Sequence, residues 1–200
     1  MNISKFTQNS IAAIQNCEKI AAEYGNQEID QEHLIYSLIT LDDSLIMKLI
    51  EKMEIQPEHF RNRVEDYIAK RPKVQGGNVY MSQALNNVLI SAEDEAKRMG
   101  DEYVSVEHIF LTIIAKPNRE VKELFKEYGI TRERFLGALE TVRGNVKVTS
   151  DNPEGTYDAL SKYGQDLVER ARNQKLDPVI GRDSEIPVSY THLRAHETRR

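Results

Sequence analysis

The sequence contains no tryptophan, one cysteine, six prolines and ten glycines in 200 residues. The lone Cys17 cannot form an internal disulfide, so a reducing, cytoplasmic compartment is expected. Few prolines and glycines, and no low-complexity run, argue against bulk disorder. The apolar runs are far too short to span a bilayer, and no charged n-region with an apolar h-region opens the chain, so neither a membrane span nor a signal peptide is read. With 27 Lys+Arg against 32 Asp+Glu the formal net charge is −5. An acidic chain lacks the basic face of a general nucleic-acid binder. No G-x-x-x-x-G-K-[ST] phosphate-binding loop occurs anywhere in the sequence.

What is present is an internal repeat. At an offset of 75, residues 6–60 align with 81–135 without a gap, and eleven positions are identical. They include Gln8/Gln83, Gly25/Gly100, Glu32/Glu107, His33/His108, Leu49/Leu124 and Phe60/Phe135. Other pairs keep apolar character, such as Ile14/Leu89, Ile29/Val104 and Leu34/Ile109.

Each copy predicts four helices. In the second copy Leu85, Val88, Leu89, Ala92, Ala96 and Met99 form a stripe with helical spacing. Ser82 and Thr7 are its candidate N-caps, and Gly25 and Gly100 its left-handed C-caps. Short extended links follow at Glu28-Ile29 and Tyr103-Val104. Asp30 and Ser105 can cap a second helix, with Glu32 and Glu107 in its first turn, where the helix dipole favours a carboxylate. A third helix carries Leu49 and Leu124, and a fourth begins near Pro57 or Thr131. The expected fold class is all-α: two tandem four-helix repeats, about 5–70 and 81–143, related by a pseudo-twofold within a domain of residues 1–146. A four-helix unit alone has a thin core, so the copies should pack together.

Beyond this domain, residues 147–156 read as a linker and 157–173 as one more helix. The last fourteen residues, PVSYTHLRAHETRR, depart in composition and resemble the translation of a transposase adapter used in short-read library preparation. Native sequence is therefore expected to end at Ile186, and His192, His196 and the terminal arginines receive no function.

The residues as a set resemble the N-terminal domain of Clp-type AAA+ chaperones. The resemblance rests on Asn2-x-x-Lys5-Phe6-Thr7, Gly25…Glu32-His33-Leu34, Gly100-Asp101-Glu102-Tyr103-Val104-Ser105-Val106-Glu107-His108 and Arg71-Pro72-Lys73-Val74. Asn152-Pro153-Glu154-x-x-Tyr157-x-Ala159-Leu160-x-Lys162-Tyr163 is similar to the ClpB, or disaggregase, branch. The resemblance implies a module that engages unfolded or aggregated polypeptide. It implies a hexameric cytoplasmic parent that uses ATP and Mg and works with a Hsp70-type partner in disaggregation and the stress response. Thr7, Asp101 and Glu107 stand where the family handles substrate. Residues 157–186 resemble the truncated start of the first ATPase domain, and in its stretch 175–186 Val179 and Ile180 would lie against adenine. Because the phosphate-binding loop is missing, this chain alone is expected not to be an enzyme and to have no cofactor of its own, and because the resemblance assigns hexamerisation to the ATPase rings it is expected to be monomeric. An adaptor-docking role, as in the protease-partnered ClpA and ClpC branches, is the alternative.

Other readings are weaker. Adjacent Glu and His on a helix point about 100° apart, so Glu32-His33 and Glu107-His108 are poor metal chelators, and no metal site is expected. Polar contacts near the helix start suit both histidines better. Cys17 matches Ala92 on the apolar stripe and reads as core. A helix-turn-helix DNA reader needs basic or amide side chains on its recognition helix. The second helices carry Glu32 and Glu107 instead, taken as exposed.

Overall fold

In a computed structural model, residues 3–74, 78–143 and 147–153 are described. The chain divides into two compact units, residues 1–158 and 159–200, and the second lies outside the described residues. So do Val179, Ile180, the expected helix at 157–173 and the adapter-like tail.

Among the described residues eight α-helices follow a short 3-10 turn at Ile3–Lys5: α1 (Gln8–Tyr24), α2 (Gln31–Thr40), α3 (Leu45–Lys52), α4 (Pro57–Ala69), α5 (Gln83–Met99), α6 (Val106–Ala115), α7 (Arg119–Tyr128) and α8 (Arg132–Arg143). The all-α expectation holds. Thr7 caps α1 by accepting the Ser10 N–H, and Ser82 caps α5 by accepting the Leu85 N–H. Gly25 and Gly100 both end their helices at φ 72°, and the next amides, of Asn26 and Asp101, reach back to Ala21 O and Ala96 O. That conformation costs glycine little and other residues more.

Two short strands complete the fold. β1 (Glu28–Ile29) pairs in parallel with β2 (Tyr80–Met81), which leads into α5. The same pairing recurs as a bridge from Phe6 to Val104, and 6/81 and 29/104 are repeat-equivalent. Each copy's entry strand therefore pairs with the extended link of the other copy. The repeats are sewn together twice, by Ser82 N–H to Ile29 O (2.8 Å) and by Thr7 N–H to Val104 O (3.0 Å).

One core runs through both copies. Leu34, Ile35, Ile46, Ile50, Phe60, Leu89, Ile109, Phe110, Leu124 and Phe135 are buried in it. Phe110 stacks on Phe135 at 4.9 Å between ring centroids. The second helices, α2 and α6, lie at its centre and pack against each other. Burial of a side chain this size contributes roughly 1.5–3 kcal/mol each. Cys17 is buried there too, as its apolar repeat mate implied.

Candidate functional site

Each repeat builds a polar node beneath its glycine C-cap. His33 occupies the third position of α2 and its Nδ1 accepts the Asp30 N–H (3.1 Å). His108 does the same in α6 with the Ser105 N–H (3.0 Å). A histidine thus takes the place that Glu or Gln holds in an ordinary capping box. An accepting Nδ1 assigns the ring proton to Nε2, which faces Asn26 Oδ1 at 3.1 Å in one copy and Asp101 Oδ2 at 2.9 Å in the other. Burial, with the Arg71 charge, lowers the His33 pKa to about 4. The histidines are cap residues, as expected from the sequence, and among the described residues no His/Cys/Asp/Glu group is placed to hold a metal ion.

An arginine then balances each node. Arg143, at the end of α8, donates to both Asp101 oxygens at 2.6 Å and to Glu107 Oε1 at 3.3 Å. Burial pushes the Asp101 carboxyl up, but His108, Arg143 and the Val148 N–H outweigh it and hold the group well below the usual carboxylate range. In the first copy Arg71 reaches Glu32 (2.8 Å), Glu28 (3.0 Å) and Asp30 (3.2 Å). Burial pushes the Glu32 carboxyl up, partly opposed by Arg71 and by Asn118, which donates to its other oxygen. Arg71 and Arg143 are not repeat-equivalent, yet each comes from the end of its copy's fourth helix and serves equivalent glutamates.

These contacts correct one sequence expectation. Glu32 and Glu107 are not on an exposed face but buried, at 1% and 0% exposure. A carboxylate so placed needs a cation, supplied by the last residue of α8 in one copy and by Arg71, two residues past α4, in the other.

Thr7, Asp101 and Glu107 are all buried. Asp101 and Glu107 meet at Arg143, whereas Thr7 sits at the α1 N-cap, where its hydroxyl donates to Ser10 Oγ (2.9 Å). The chain leaving the domain runs past all three. Val148 donates to Asp101 Oδ1 (3.0 Å), and Glu102 donates to Val148 O. Gln8, next to Thr7, donates through its backbone to Asp151 O (2.8 Å) and through its side chain to Asp151 Oδ2 (2.9 Å). The sequence assigned no contact to Gln8, Arg143 or Val148, since their partners lie more than 35 residues away.

Among the described residues the exposed large apolar side chains are Ile3, Val74, Val79, Tyr80, Met81 and Ile90. Val79, Tyr80 and Met81 are consecutive on and beside β2, with Tyr80 53% exposed. Among the described residues β2 pairs on one side only, with β1. Its other edge therefore keeps unpaired backbone groups.

Two interlocked copies of one four-helix unit, each with a buried glutamate paired to an arginine, define a duplicated all-α domain of the Clp type. The sequence matches the Clp repeat (R) N-terminal domain over residues 5–128, and the chain belongs to that family. It is 46% identical over 192 residues to chaperone protein ClpB of Nitratidesulfovibrio vulgaris, and 40% over 191 residues to that of Bacillus anthracis. Each match covers 93% of this chain but 22% of the relative, so the chain spans about a fifth of the curated relatives' length. The N-terminal domain of Hsp104 from Candida albicans has the same fold, with a TM-score of 0.66 at 22% identity, over 75% of this chain and 99% of that one. So does the N-domain of ClpV in complex with a VipB peptide, with a TM-score of 0.59 at 17% identity, over 75% and 92%. Among the described residues no helix is long and apolar enough to cross a membrane.

Proposed function

We propose that residues 1–146 form the substrate-engaging domain of a ClpB-like disaggregase and bind unfolded or aggregated polypeptide. The observation that carries this reading is the exposed row Val79, Tyr80 and Met81 along the unpaired edge of β2. An extended chain can add a strand there through backbone hydrogen bonds, which do not depend on sequence, while the apolar side chains supply loose, broad affinity. Membership of the Clp N-terminal family supports it, as does the likeness to chaperones named ClpB.

The buried residues receive a supporting role. Thr7, Asp101 and Glu107 fix the α1 start and the departing segment around Val148 and Asp151. Substitution at these positions acts on polypeptide engagement through that positioning.

The longer protein, on this reading, is a cytoplasmic hexamer that binds ATP and Mg in modules beyond this domain and cooperates with a Hsp70-type chaperone. Val179 and Ile180 would open its first ATPase domain, and residues 147–156 would be the connecting linker. A second reading, docking of a defined adaptor segment, draws support from the similarly folded ClpV N-domain with its bound VipB peptide.

The test is titration of the purified chain with a permanently unfolded polypeptide, reduced carboxymethylated α-lactalbumin, and with its native form, followed by anisotropy. Binding of the unfolded form alone supports chain capture. Binding of neither, or of both equally, overturns it.

A further inference from the structure

The pseudo-twofold supplies two versions of one cleft. In one, the end of α7 packs on α4, and in the other the end of α3 packs on α8. The first is filled. The Tyr128 ring lies edge-on to Phe60 at 5.2 Å between centroids, its hydroxyl meets His59 Nδ1 at 2.6 Å, and Arg63 crosses to Glu127 at 3.0 Å.

The second is open. Its repeat-equivalent residues are Met53 for Tyr128, Lys52 for Glu127, Ala138 for Arg63 and Gly137 for Asn62. Both α8 side chains have been cut back, and a Cβ placed on Gly137 would meet nothing within 4 Å. A cavity of about 280 Å³ results, lined by Lys52, Met53, Glu54, Arg134, Gly137, Ala138 and Thr141. One of its lining residues, Ala138, is the repeat equivalent of Arg63. Arg134 is already engaged, donating to Tyr128 O (3.1 Å), Gly129 O (3.2 Å) and Met53 O. The Thr141 hydroxyl donates to Ala138 O (2.6 Å). Lys52 has no partner among the described residues.

In the filled copy this position holds a carboxylate, Glu127, and the cation comes from the opposite helix. In the open copy the sign is reversed: the cation, Lys52, is in place, and no side chain on α8 reaches it. We infer that the cleft between α3 and α8 is a second binding site, which takes an acidic side chain of a polypeptide segment and pairs it with Lys52. Its lining favours such a group. Lys52 and Arg134 bring two positive charges against the single carboxylate of Glu54. The occupant is polypeptide because the repeat-equivalent cleft is closed by protein side chains of the same kind. This site shares no residue with the exposed row on β2, so the two readings stand or fall separately.

The experiment uses the whole chain and two labelled nonapeptides that differ only in carrying three glutamates or three glutamines. The glutamate peptide should bind, more weakly as salt rises, and the glutamine peptide should not. Lys52→Gln should weaken binding at least tenfold. The double change Lys52→Glu with Ala138→Arg rebuilds the filled cleft and should abolish binding, while capture of carboxymethylated α-lactalbumin persists. Equal binding of the two peptides overturns the inference. So does undiminished binding by the double variant with its helical circular dichroism intact.

Discussion

Glu54 and Gly129 hold the same left-handed backbone conformation in the two repeats, at φ 60° and 61°. Both follow a third helix, and both donate their N–H three residues back, Glu54 to Glu51 O and Gly129 to Lys126 O. The next amides, of Ile55 and Ile130, close the turn onto Ile50 O and Phe125 O. One copy has the residue that adopts this conformation freely, and the other has a side chain that does so at a cost.

Glu54→Gly should therefore leave stability unchanged or raise it by up to ~1 kcal/mol, because relief of strain is partly offset by added freedom of the unfolded chain. Gly129→Ala should lower it by about 1 kcal/mol, since its new Cβ also lies 3.2 Å from the Arg134 guanidinium. Urea unfolding of the two variants checks both.

Removal of Arg143 should be far more costly. Arg143→Met leaves the buried Asp101 carboxylate without its cation and frees Glu107, a loss of about 3–5 kcal/mol by urea unfolding. By contrast Lys19→Ala, which breaks an exposed pair with Glu23, should change stability by less than about 0.5 kcal/mol. A comparable loss at both positions would contradict the assignment of the buried node.

Acid should destabilise the fold through His33. Its pKa falls from 6.5 to about 4 on folding, so between those values the unfolded chain carries a proton that the folded chain refuses. The stabilisation is present in full above pH 6.5 and disappears as the pH falls through about 4, to a total of roughly 3 kcal/mol. Thermal melts between pH 7.5 and 4.5 should show the loss, and His33→Gln should flatten it in that window.

Cys17 should be unreactive in the folded chain. It lies on the buried face of α1 and donates to Ala13 O, and burial pushes its thiol up to about 12. Ellman's reagent should label it only as fast as the domain unfolds, and labelling should become rapid in 6 M guanidinium. Fast labelling in buffer would place Cys17 at the surface.

The duplication made the eight helices legible, because eleven identities at one offset and the stripe from Leu85 to Met99 fix both period and copy number. Gly25 and Gly100 marked where α1 and α5 end, and Thr7 and Ser82 where they start. The strand exchange was not legible. Strands of two residues have no period, so Glu28-Ile29 could be read as extended but not as paired with Tyr80-Met81. The polar nodes were half legible: His33 and His108 announced a helix start, but Glu32 and Glu107 looked solvated because nothing local revealed their cations. Arg71 and Arg143 align with Val146 and Ile68 rather than with each other, so the repeat hid their common task. The open cleft needed coordinates, since it is visible only as the difference between Gly137-Ala138 and Asn62-Arg63 on the two fourth helices.

The most direct test of the account is an NMR titration of the isotopically labelled chain with carboxymethylated α-lactalbumin. The predicted result is chemical-shift change concentrated at Val79, Tyr80 and Met81, reduced at least tenfold in apparent affinity by Tyr80→Ser with Met81→Ser. Shifts that leave β2 untouched, or binding that survives the double substitution in a folded protein, would contradict the assignment of this edge as the polypeptide-engaging surface.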